Sequence, residues 1–409
     1  MRSMLFVSSN KTDKITPNKM KSNPILAAQL AQQLNQTQQQ YPCLPVGLRL
    51  VLPGYALAIR SNSAALLNSL AEYFDLTITS NLAPADTEIL AIETDDFLEI
   101  GQNWQDWPRE AGKTGRKETF LDAPETQQGR FIFKVKTGML FWQKPLTQIA
   151  VGSVERHPNQ VINFALSQYL NHHLRQGWLL GHAAGLQIDG KGIAIAGLSG
   201  GGKSTLMLHL LEQGQHFISN DRLLIQAGHP PQTTLKTTRP GVPFGYGQFY
   251  MRGIPKQPRI NPGTIVHNPR LHSLIPAEQR HQLLALSASK LRHLEQKYDA
   301  DVNQLFHSNC AQAESPLDLL VILNWSAQSE QSTQAQLTTL AQSPKLLPAL
   351  IKSAGPFFAD AQGQFLAHQT VPDAKDYLNQ LATLPCLEIS GKLDFSKAQQ
   401  AVLKHLQAV

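Results

Sequence analysis

The sequence predicts an α/β fold with a smaller α+β domain at its N-terminal side. First, an apolar run at residues 193–196 leads into a glycine-rich segment and then a helical pattern, the strand–loop–helix order of an α/β protein. Second, residues 46–150 combine several strand patterns with one helix. Third, 409 residues are enough for two or three domains. We therefore predict a lead at 1–45, the α+β domain at 46–150 and a main domain at 155–409.

Composition and charge argue against several classes of protein. Hydrophobic residues make up 42% of the chain, enough to bury a core, and charged residues only 16%. A net charge of +6 is too small for so large a surface to indicate nucleic-acid binding. Three distant cysteines indicate no disulfide framework, and no apolar run approaches the roughly 20 residues that span a bilayer. The N-terminus lacks a secretory signal pattern, so we expect a cytoplasmic protein with no membrane partner.

The lead, residues 1–45, is polar and Gln-rich. We interpret it as a weakly structured, disordered tail. The alternative is one short amphipathic helix, because Leu26, Leu30 and Leu34 recur every four residues.

Residues 46–150 contain the patterns of a small α+β domain. The predicted elements are strands at 48–52, 55–59 and 88–93, a helix at 64–74, and hairpin strands at 130–135 and 139–142. Ser63 is the expected N-cap of the helix, and Gly138 supplies the positive φ of the hairpin turn. Lys134 and Lys136 are interpreted as solvated charges on a hairpin edge. No chemistry is indicated here, and partner recognition is the role we consider.

The most informative motif follows a helix predicted at residues 157–177. The strand Ile193–Ala196 runs into a loop that satisfies the pattern G-x-x-x-x-G-K-[ST], and helical spacing follows it. The alternative, a glycine-rich turn with a chance lysine, is disfavoured because strand, loop and helix occur in the required order. The candidate nucleotide-binding residues are Gly197, Ser199, Gly200, Gly201, Gly202, Lys203, Ser204 and Thr205.

Each residue type in this loop has a chemical reason. Glycines let backbone N–H groups approach phosphates without a Cβ in the way, and the helix N-terminus adds the positive end of its dipole. In such a loop Lys203 bridges the β- and γ-phosphates, and the Ser204 hydroxyl binds Mg²⁺. ATP and Mg²⁺ are therefore the predicted ligands. Residues 198–201 resemble the start of an ABC-transporter signature, but they lie inside the loop itself, which argues against an ABC ATPase.

Two more candidates flank the loop. Asn220 and Asp221 occupy a bend inside the strand-like run 217–225, where a carboxylate can bind Mg²⁺ or accept the proton of an attacking hydroxyl. The alternative for Asp221 is an ordinary turn residue. Upstream, His182 precedes a hairpin with Asp189-Gly190 at its turn, which returns the chain to the loop strand. His182 is a candidate for catalysis or phosphate contact, with a structural role as the alternative.

Residues 222–277 contain no acidic residue and are rich in proline and glycine. A long stretch of this composition predicts a functional lid or binding loop, and its positive charge suits nucleotide phosphates or an acidic partner. A solvated basic loop is the alternative. The candidate substrate-binding residues in it are Arg239, Arg252, Lys256 and Arg259.

The C-terminal third predicts scaffold elements. A buried strand at 319–323 ends without the Asp of a Walker B strand. Leucines from Leu337 to Leu350 predict helical segments, and residues 387–390 and 392–395 predict a pair of strands around Gly391. A last helix is predicted at 396–407.

These residues resemble the C-terminal domain of HPr kinase/phosphorylase, and more closely the HPr-kinase-related kinases. The resemblance covers residues 155–409 and is specific around the loop. It implies a phosphate-binding loop in a mixed sheet, ATP with Mg²⁺, and transfer of the γ-phosphoryl group to a protein serine. His182 matches the family's active-site histidine, Lys203 and Ser204 match its loop, and Asp221 matches the second of two tandem aspartates. Phosphoenolpyruvate carboxykinases share this type of loop.

The chain departs from the family at two carboxylates. The first tandem aspartate is Asn220, and an amide cannot act as a base. The family's metal-binding Glu precedes Ile-Arg-Gly, whereas this chain has Tyr250-Met251-Arg252-Gly253. Asp221 is thereby left as metal ligand, as base, or as both through a water, and reverse phosphorylase activity is disfavoured.

Three functions stay open. The first is an ATP-dependent kinase that phosphorylates a hydroxyl, expected to be that of a serine, on a small or acidic protein or on a small molecule. The second is a nucleotide-binding regulator without transfer, and the third a carboxykinase-like enzyme. The acceptor, the nucleotide base and the oligomeric state, a homo-oligomer included, are not determined by the sequence.

Overall fold

The computed structural model confirms the predicted α/β class. It describes residues 24–96, 104–109, 115–123, 129–144, 147–198, 201–212, 215–228, 249–287, 290–291, 294, 296–368 and 370–408. Much of the predicted basic stretch, residues 229–248, lies outside these ranges. No helix in the described ranges is long and apolar enough to cross a membrane. All three cysteines are free thiols.

The N-terminal part has three layers around an eight-stranded sheet. Its helices are α1 (Pro24–Gln40) and α2 (Ala64–Phe74). Its strands are β1 (Gly47–Leu52), β2 (Tyr55–Ser61), β3 (Thr87–Glu93), β4 (Gln105–Asp106), β5 (Glu118–Asp122), β6 (Arg130–Lys134), β7 (Leu140–Gln143) and β8 (Thr147–Gly152). They lie in the order β1-β2-β3-β8-β7-β6-β5-β4. Helix α1 covers one face, and α2 covers the other together with α3 (Pro158–Arg175).

Helix α1 shows that the predicted disordered tail is wrong for residues 24–40 and confirms the helical alternative. Leu30 and Leu34 are 1% and 0% exposed and pack in one cluster with Phe131 and Trp142 of the sheet. The helix is stabilised by this tertiary packing, which periodicity within a Gln-rich segment does not reveal.

Of the predictions for single residues in the N-terminal part, those for Ser63 and Gly138 are confirmed and that for Lys134 is wrong. The helix at 64–74 and its N-cap are confirmed, since the backbone N–H of Leu66 donates to Oγ of Ser63 at 3.0 Å. Gly138 has the expected positive φ of 70°. The interpretation of Lys134 as a solvated charge is wrong: its side chain is 13% exposed and its ammonium pairs with Glu118.

The C-terminal part is built on two larger sheets and a two-stranded ribbon. Its strands are β9 (Leu179–Gly181), β10 (Ala183–Ile188), β11 (Lys191–Gly197), β12 (His216–Ser219), β13 (Leu223–Ala227), β14 (Phe249–Arg252), β15 (Arg259–Ile260), β16 (Tyr298–Asp299), β17 (Glu314–Leu317), β18 (Leu319–Ser326), β19 (Gln334–Thr339) and β20 (Pro385–Lys392). Its helices after α3 are α4 (Lys203–Leu211), α5 (Pro262–His267), α6 (Ala277–Leu284), α7 (Val302–Leu305), α8 (Ala374–Leu381) and α9 (Phe395–Ala408), with 3₁₀ turns at Pro269–Leu274 and Pro344–Ala349.

A mixed six-stranded sheet is the centre of this part. Its strand order is β12-β10-β11-β18-β20-β19, with β11, β18 and β20 parallel. One face packs against the antiparallel sheet β17-β14-β13-β9, and the other is covered by α4 and α9. The central strands are almost fully apolar because they are buried on both faces.

Two C-terminal predictions are wrong. Leu337, expected in a helix, lies on the edge strand β19 and is 52% exposed. Residues 387–395 do not form two strands: β20 passes straight through Gly391. A Cβ at Gly391 would lie 2.3 Å from the carbonyl oxygen of Ser332, so this glycine permits a close approach instead of a hairpin turn. The last helix is confirmed.

We predict that Leu34→Ala lowers the free energy of unfolding by about 2–5 kcal/mol, because it leaves a cavity between α1 and the sheet. Ile25→Ala is the matched control, since Ile25 is 71% exposed on the same helix. That control should change the free energy by less than about 0.5 kcal/mol. Chemical denaturation measures both, and equal effects of the two substitutions would contradict the packing of α1.

Candidate functional site

Strand register brings the sequence candidates to one edge of the six-stranded sheet. Ala183, which follows His182, pairs with Ala196 at the end of β11, just before the glycine-rich loop. Ser219, at the end of β12, pairs with Gly185 near the start of β10. The residues that follow Ser219 therefore lie at the same edge as His182 and the loop.

The glycine-rich loop, residues 198–202, joins β11 to α4. Gly202 precedes α4 with a φ of 89°, a conformation that favours glycine. Lys203 is 8% exposed, and its Nζ donates to the carbonyl oxygen of Gly197 at 2.9 Å. The lysine is thus held against the loop at the start of the helix. Ser199 and Gly200 lie outside the described residues.

Two aromatic residues brace this loop. Trp325, at the carboxyl end of the parallel strand β18, donates from Nε1 to the carbonyl oxygen of Gly201 at 2.8 Å. Phe395, the first residue of α9, meets the indole edge-on at 5.1 Å between ring centroids. A Cβ at Gly202 would lie 2.7 Å from the Phe395 ring. This role of Trp325 was not predicted from the sequence. The available signal was its position after the apolar run of β18, because ligand-binding residues often follow the carboxyl ends of parallel strands.

The first turn of α4 contacts the bend that carries Asp221. Oγ of Ser204 donates to Oδ1 of Asn220 at 2.9 Å. The next hydroxyl, Thr205 Oγ1, lies 2.8 Å from Oγ1 of Thr264 on α5. Ser204 and Asn220, which are 16 residues apart, are thereby joined directly.

Asp221 is the carboxylate of the site. Its Oδ1 lies 3.1 Å from Nε2 of His182, and both its oxygens lie 3.4 Å from Nζ of Lys352. Asp221 has a positive φ of 74°, which a non-glycine residue adopts only when its surroundings hold it there. Lys352 was not predicted as a site residue from the sequence. It is placed by pairing next to β9, where the backbone N–H of His182 donates to the carbonyl oxygen of Leu350 at 2.6 Å.

Asp221 and His182 differ in their protonation states because their surroundings shift both pKa values. Burial raises the pKa of Asp221, but the hydrogen bond with His182 and the charge of Lys352 outweigh it and lower the pKa well below its usual range. Water screens part of this effect, because 56% of the Asp221 side chain is exposed. Burial, together with Lys352 and Lys203, lowers the pKa of His182 despite the opposing effect of Asp221. At pH 7 Asp221 is therefore ionised and His182 neutral.

The four basic candidates have different surroundings. Arg252 is 3% exposed and pairs with Glu314 at 2.9 Å, so the structure does not support its predicted contact with substrate. Arg259 is exposed on β15 and lies 3.3 Å from Asp299. Lys256 is half-buried, and Arg239 lies outside the described residues.

The candidate metal ligands that the structure describes at the end of β12 and the start of α4 are oxygen atoms. In the described ranges no group of three or more His, Cys, Asp or Glu side chains is arranged to hold a metal ion. The Ser204 hydroxyl, the Asn220 amide oxygen and the Asp221 carboxylate are hard ligands, which suit Mg²⁺ better than a transition metal.

Comparison with known proteins finds a distant structural likeness and no match in sequence. No family model matches the sequence, and no curated protein matches it. Among solved structures, the Hpr(Ser) kinase/phosphatase from Coxiella burnetii is 12% identical; the match covers 56% of this chain and 97% of that chain, at a TM-score of 0.27. Neither the family nor the activity of this chain follows from so distant a likeness.

We predict that Trp325→Phe loosens the glycine-rich loop by removing the donor to Gly201. A net hydrogen-bond contribution of about 0.5–1.5 kcal/mol corresponds to roughly two- to tenfold faster amide exchange at residues 201–203. Hydrogen exchange followed by mass spectrometry measures this. Trp104→Phe, in the cluster under α1, is the matched control and should leave these amides unchanged. Equal exchange in Trp325→Phe and wild type would show that the bond does not hold the loop.

Proposed function

We propose that this protein is an ATP-dependent kinase that uses Mg²⁺ to transfer the γ-phosphoryl group of ATP to a hydroxyl of a protein or small-molecule acceptor. A serine is the expected protein acceptor. The observation that carries the proposal is the hydrogen bond from Ser204 to Asn220. It joins the start of the helix after the glycine-rich loop to the turn that carries Asp221, so the phosphate-binding pattern and the carboxylate form one site.

The residues of this site fit ATP and Mg²⁺. Lys203 and the N-terminus of α4 offer positive charge for the phosphates, and α4 is long enough, at nine residues, to present a helix terminus. Ser204 and Asp221 are the candidate Mg²⁺ ligands, and Asp221 keeps its charge over the whole physiological pH range because its pKa is lowered. Bound Mg²⁺ would offset the negative charge of the phosphates.

Asp221 and His182 have complementary tasks in this proposal. Neutral His182 donates from Nε2 to Asp221 and fixes the orientation of the carboxylate. A carboxylate with so low a pKa is a weak base, so its main task is to accept a hydrogen bond from the acceptor hydroxyl and orient it. Phosphoryl transfer tolerates a weak base, because its loose transition state depends chiefly on positioning and charge.

A nucleotide-binding regulator without transfer is the second candidate. It is favoured by Asn220, an amide at the position that contacts Ser204, and by Lys352, which already pairs with Asp221. Such a protein needs Lys203 and the loop, but not a carboxylate available to the acceptor.

We predict that Lys203→Ala reduces ATP affinity by about tenfold or more, whereas Asp221→Asn retains ATP binding and reduces transfer by about 100-fold or more. Calorimetry measures binding. Turnover of γ-labelled ATP with Mg²⁺, with cell extract as acceptor source, measures transfer. Asp376→Asn, on the exposed side of α8, is the matched control and should keep full activity.

The outcomes separate the two candidates. Transfer that disappears in Asp221→Asn supports the kinase, and the labelled product identifies the acceptor. ATP binding that depends on Lys203, without transfer under any condition, would rule out the kinase and leave the regulator. Absence of ATP binding in the wild type would rule out both.

A further inference from the structure

The hydroxyl of Ser219 joins two segments that carry cationic side chains. Ser219 ends β12 and is 0% exposed. Its Oγ donates to the carbonyl oxygen of Arg222 at 2.6 Å and accepts from the backbone N–H of Ile254 at 3.5 Å. Gly253 permits this approach, because a Cβ there would lie 1.8 Å from a backbone carbonyl oxygen of β12. The segments that carry Arg222 and Lys256 are therefore held side by side.

The carboxylates near Arg222 and Lys256 already pair with other basic side chains. Nζ of Lys256 donates to Oδ1 of Asn163 on α3 at 2.6 Å, and this partner is neutral. The carboxylates that act on Lys256, Asp221 and Asp299, each pair with another basic side chain. Among the residues that the structure describes, the half-buried guanidinium of Arg222 has no hydrogen bond or ion pair.

Positive charge consequently exceeds negative charge in this half-buried space. Burial lowers the pKa of Lys256 to about 8, and the charges of Arg222 and Arg259 lower it too, against the effect of Asp299 and Asp221. Cations that are removed from water without full counter-charge are costly to hold. An oxyanion placed between them supplies the missing charge.

The eight-stranded sheet adds to this excess. Lys134 on β6 pairs with Glu118, and Lys117 lies 3.5 Å from the same carboxylate. Burial lowers the pKa of Lys134, Glu118 raises it, and the charges of Lys117 and Arg222 lower it again. Two lysines thus share one carboxylate, and Arg222 is close enough to Lys134 for its charge to act on the pKa of that lysine.

We propose that Arg222 and Lys256 form an oxyanion-binding subsite beside Asp221, which takes a phosphate or carboxylate group of the phosphoryl acceptor. The acceptor assignment rests on the proposed kinase function. The guanidinium of Arg222 offers a planar fork for two oxygens, and Lys256 offers a compact charge. Asn163 on α3 accepts a hydrogen bond from Lys256 and so orients its ammonium group. Because both cations are half-buried, the subsite suits a small hydroxy compound with an anionic group.

The test uses inorganic phosphate as the probe, with the full-length protein saturated with Mg²⁺-ADP so that the glycine-rich loop is not available to phosphate. We expect calorimetry to show phosphate binding to wild type, weakened about tenfold or more in Arg222→Met and in Lys256→Met. Arg49→Met is the matched control: Arg49 lies on the edge strand β1, five strands from β6, and should bind phosphate like wild type. Succinate replaces phosphate in a second series and separates carboxylate from phosphate recognition.

The pH dependence identifies Lys256. Between pH 7.5 and 9 the wild type should lose about fivefold or more of its phosphate affinity, because Lys256 loses its proton near pH 8. Lys256→Arg keeps a positive charge over this range and should bind phosphate with little change. The same loss in Lys256→Arg would overturn the role of Lys256.

Two further outcomes would overturn the proposal and leave the kinase intact. One is competition between phosphate and ADP together with weaker ATP binding in Arg222→Met, since the two cations would then bind the nucleotide. The other is no binding of phosphate or succinate to ADP-loaded wild type. If instead ADP does not bind but phosphate does, through Arg222, the subsite stands and the kinase proposal fails.

Discussion

The site depends on two of the places where the chain passes between the six-stranded and the four-stranded sheet. At His182 the chain leaves β9 of the small sheet and enters β10 of the large one. At Asn220 and Asp221 it leaves β12 of the large sheet and enters β13 of the small one. Strand pairing places both crossings at the edge from which the glycine-rich loop emerges. The positive φ of Asp221 is the local cost of so sharp a passage.

Residues 353–368 connect the N-terminal part to this edge. Arg130 on β6 is 2% exposed and donates to the carbonyl oxygen of Leu366 at 2.9 Å, while Asp122 balances its charge. Asn171 of α3 donates to the carbonyl oxygen of Phe357 at 2.7 Å. Lys352, which contacts Asp221, immediately precedes this segment, so the segment leads from the site to the N-terminal part.

Sequence patterns predicted what is encoded locally. The helix at 64–74 with its cap, the Asp189-Gly190 turn and the order of β11, loop and α4 all follow from short-range chemistry. The edge strand β19 was mistaken for a helix, because its side chains are exposed and show no strand alternation. Lys352 lies 131 residues from Asp221, and only the pairing beside β9 brings the two together. The contact of Trp325 with the glycine-rich loop likewise could not be predicted without the strand order of the sheet.

Helix α3 contacts two separate segments of the site, so that the contacts around the site form a closed ring. Near its first turns Asn163 holds Lys256, and at its far end Arg175 donates to the carbonyl oxygen of Ala359 at 2.8 Å, roughly 18 Å along the helix axis. From Ala359 the chain leads back to Lys352 and so to Asp221, and Ser219 joins that turn to the segment of Lys256. A closed ring is mechanically stiffer than an open chain of contacts, because each link is constrained from both sides. We therefore expect the loss of one of these contacts to loosen the residues on either side of it.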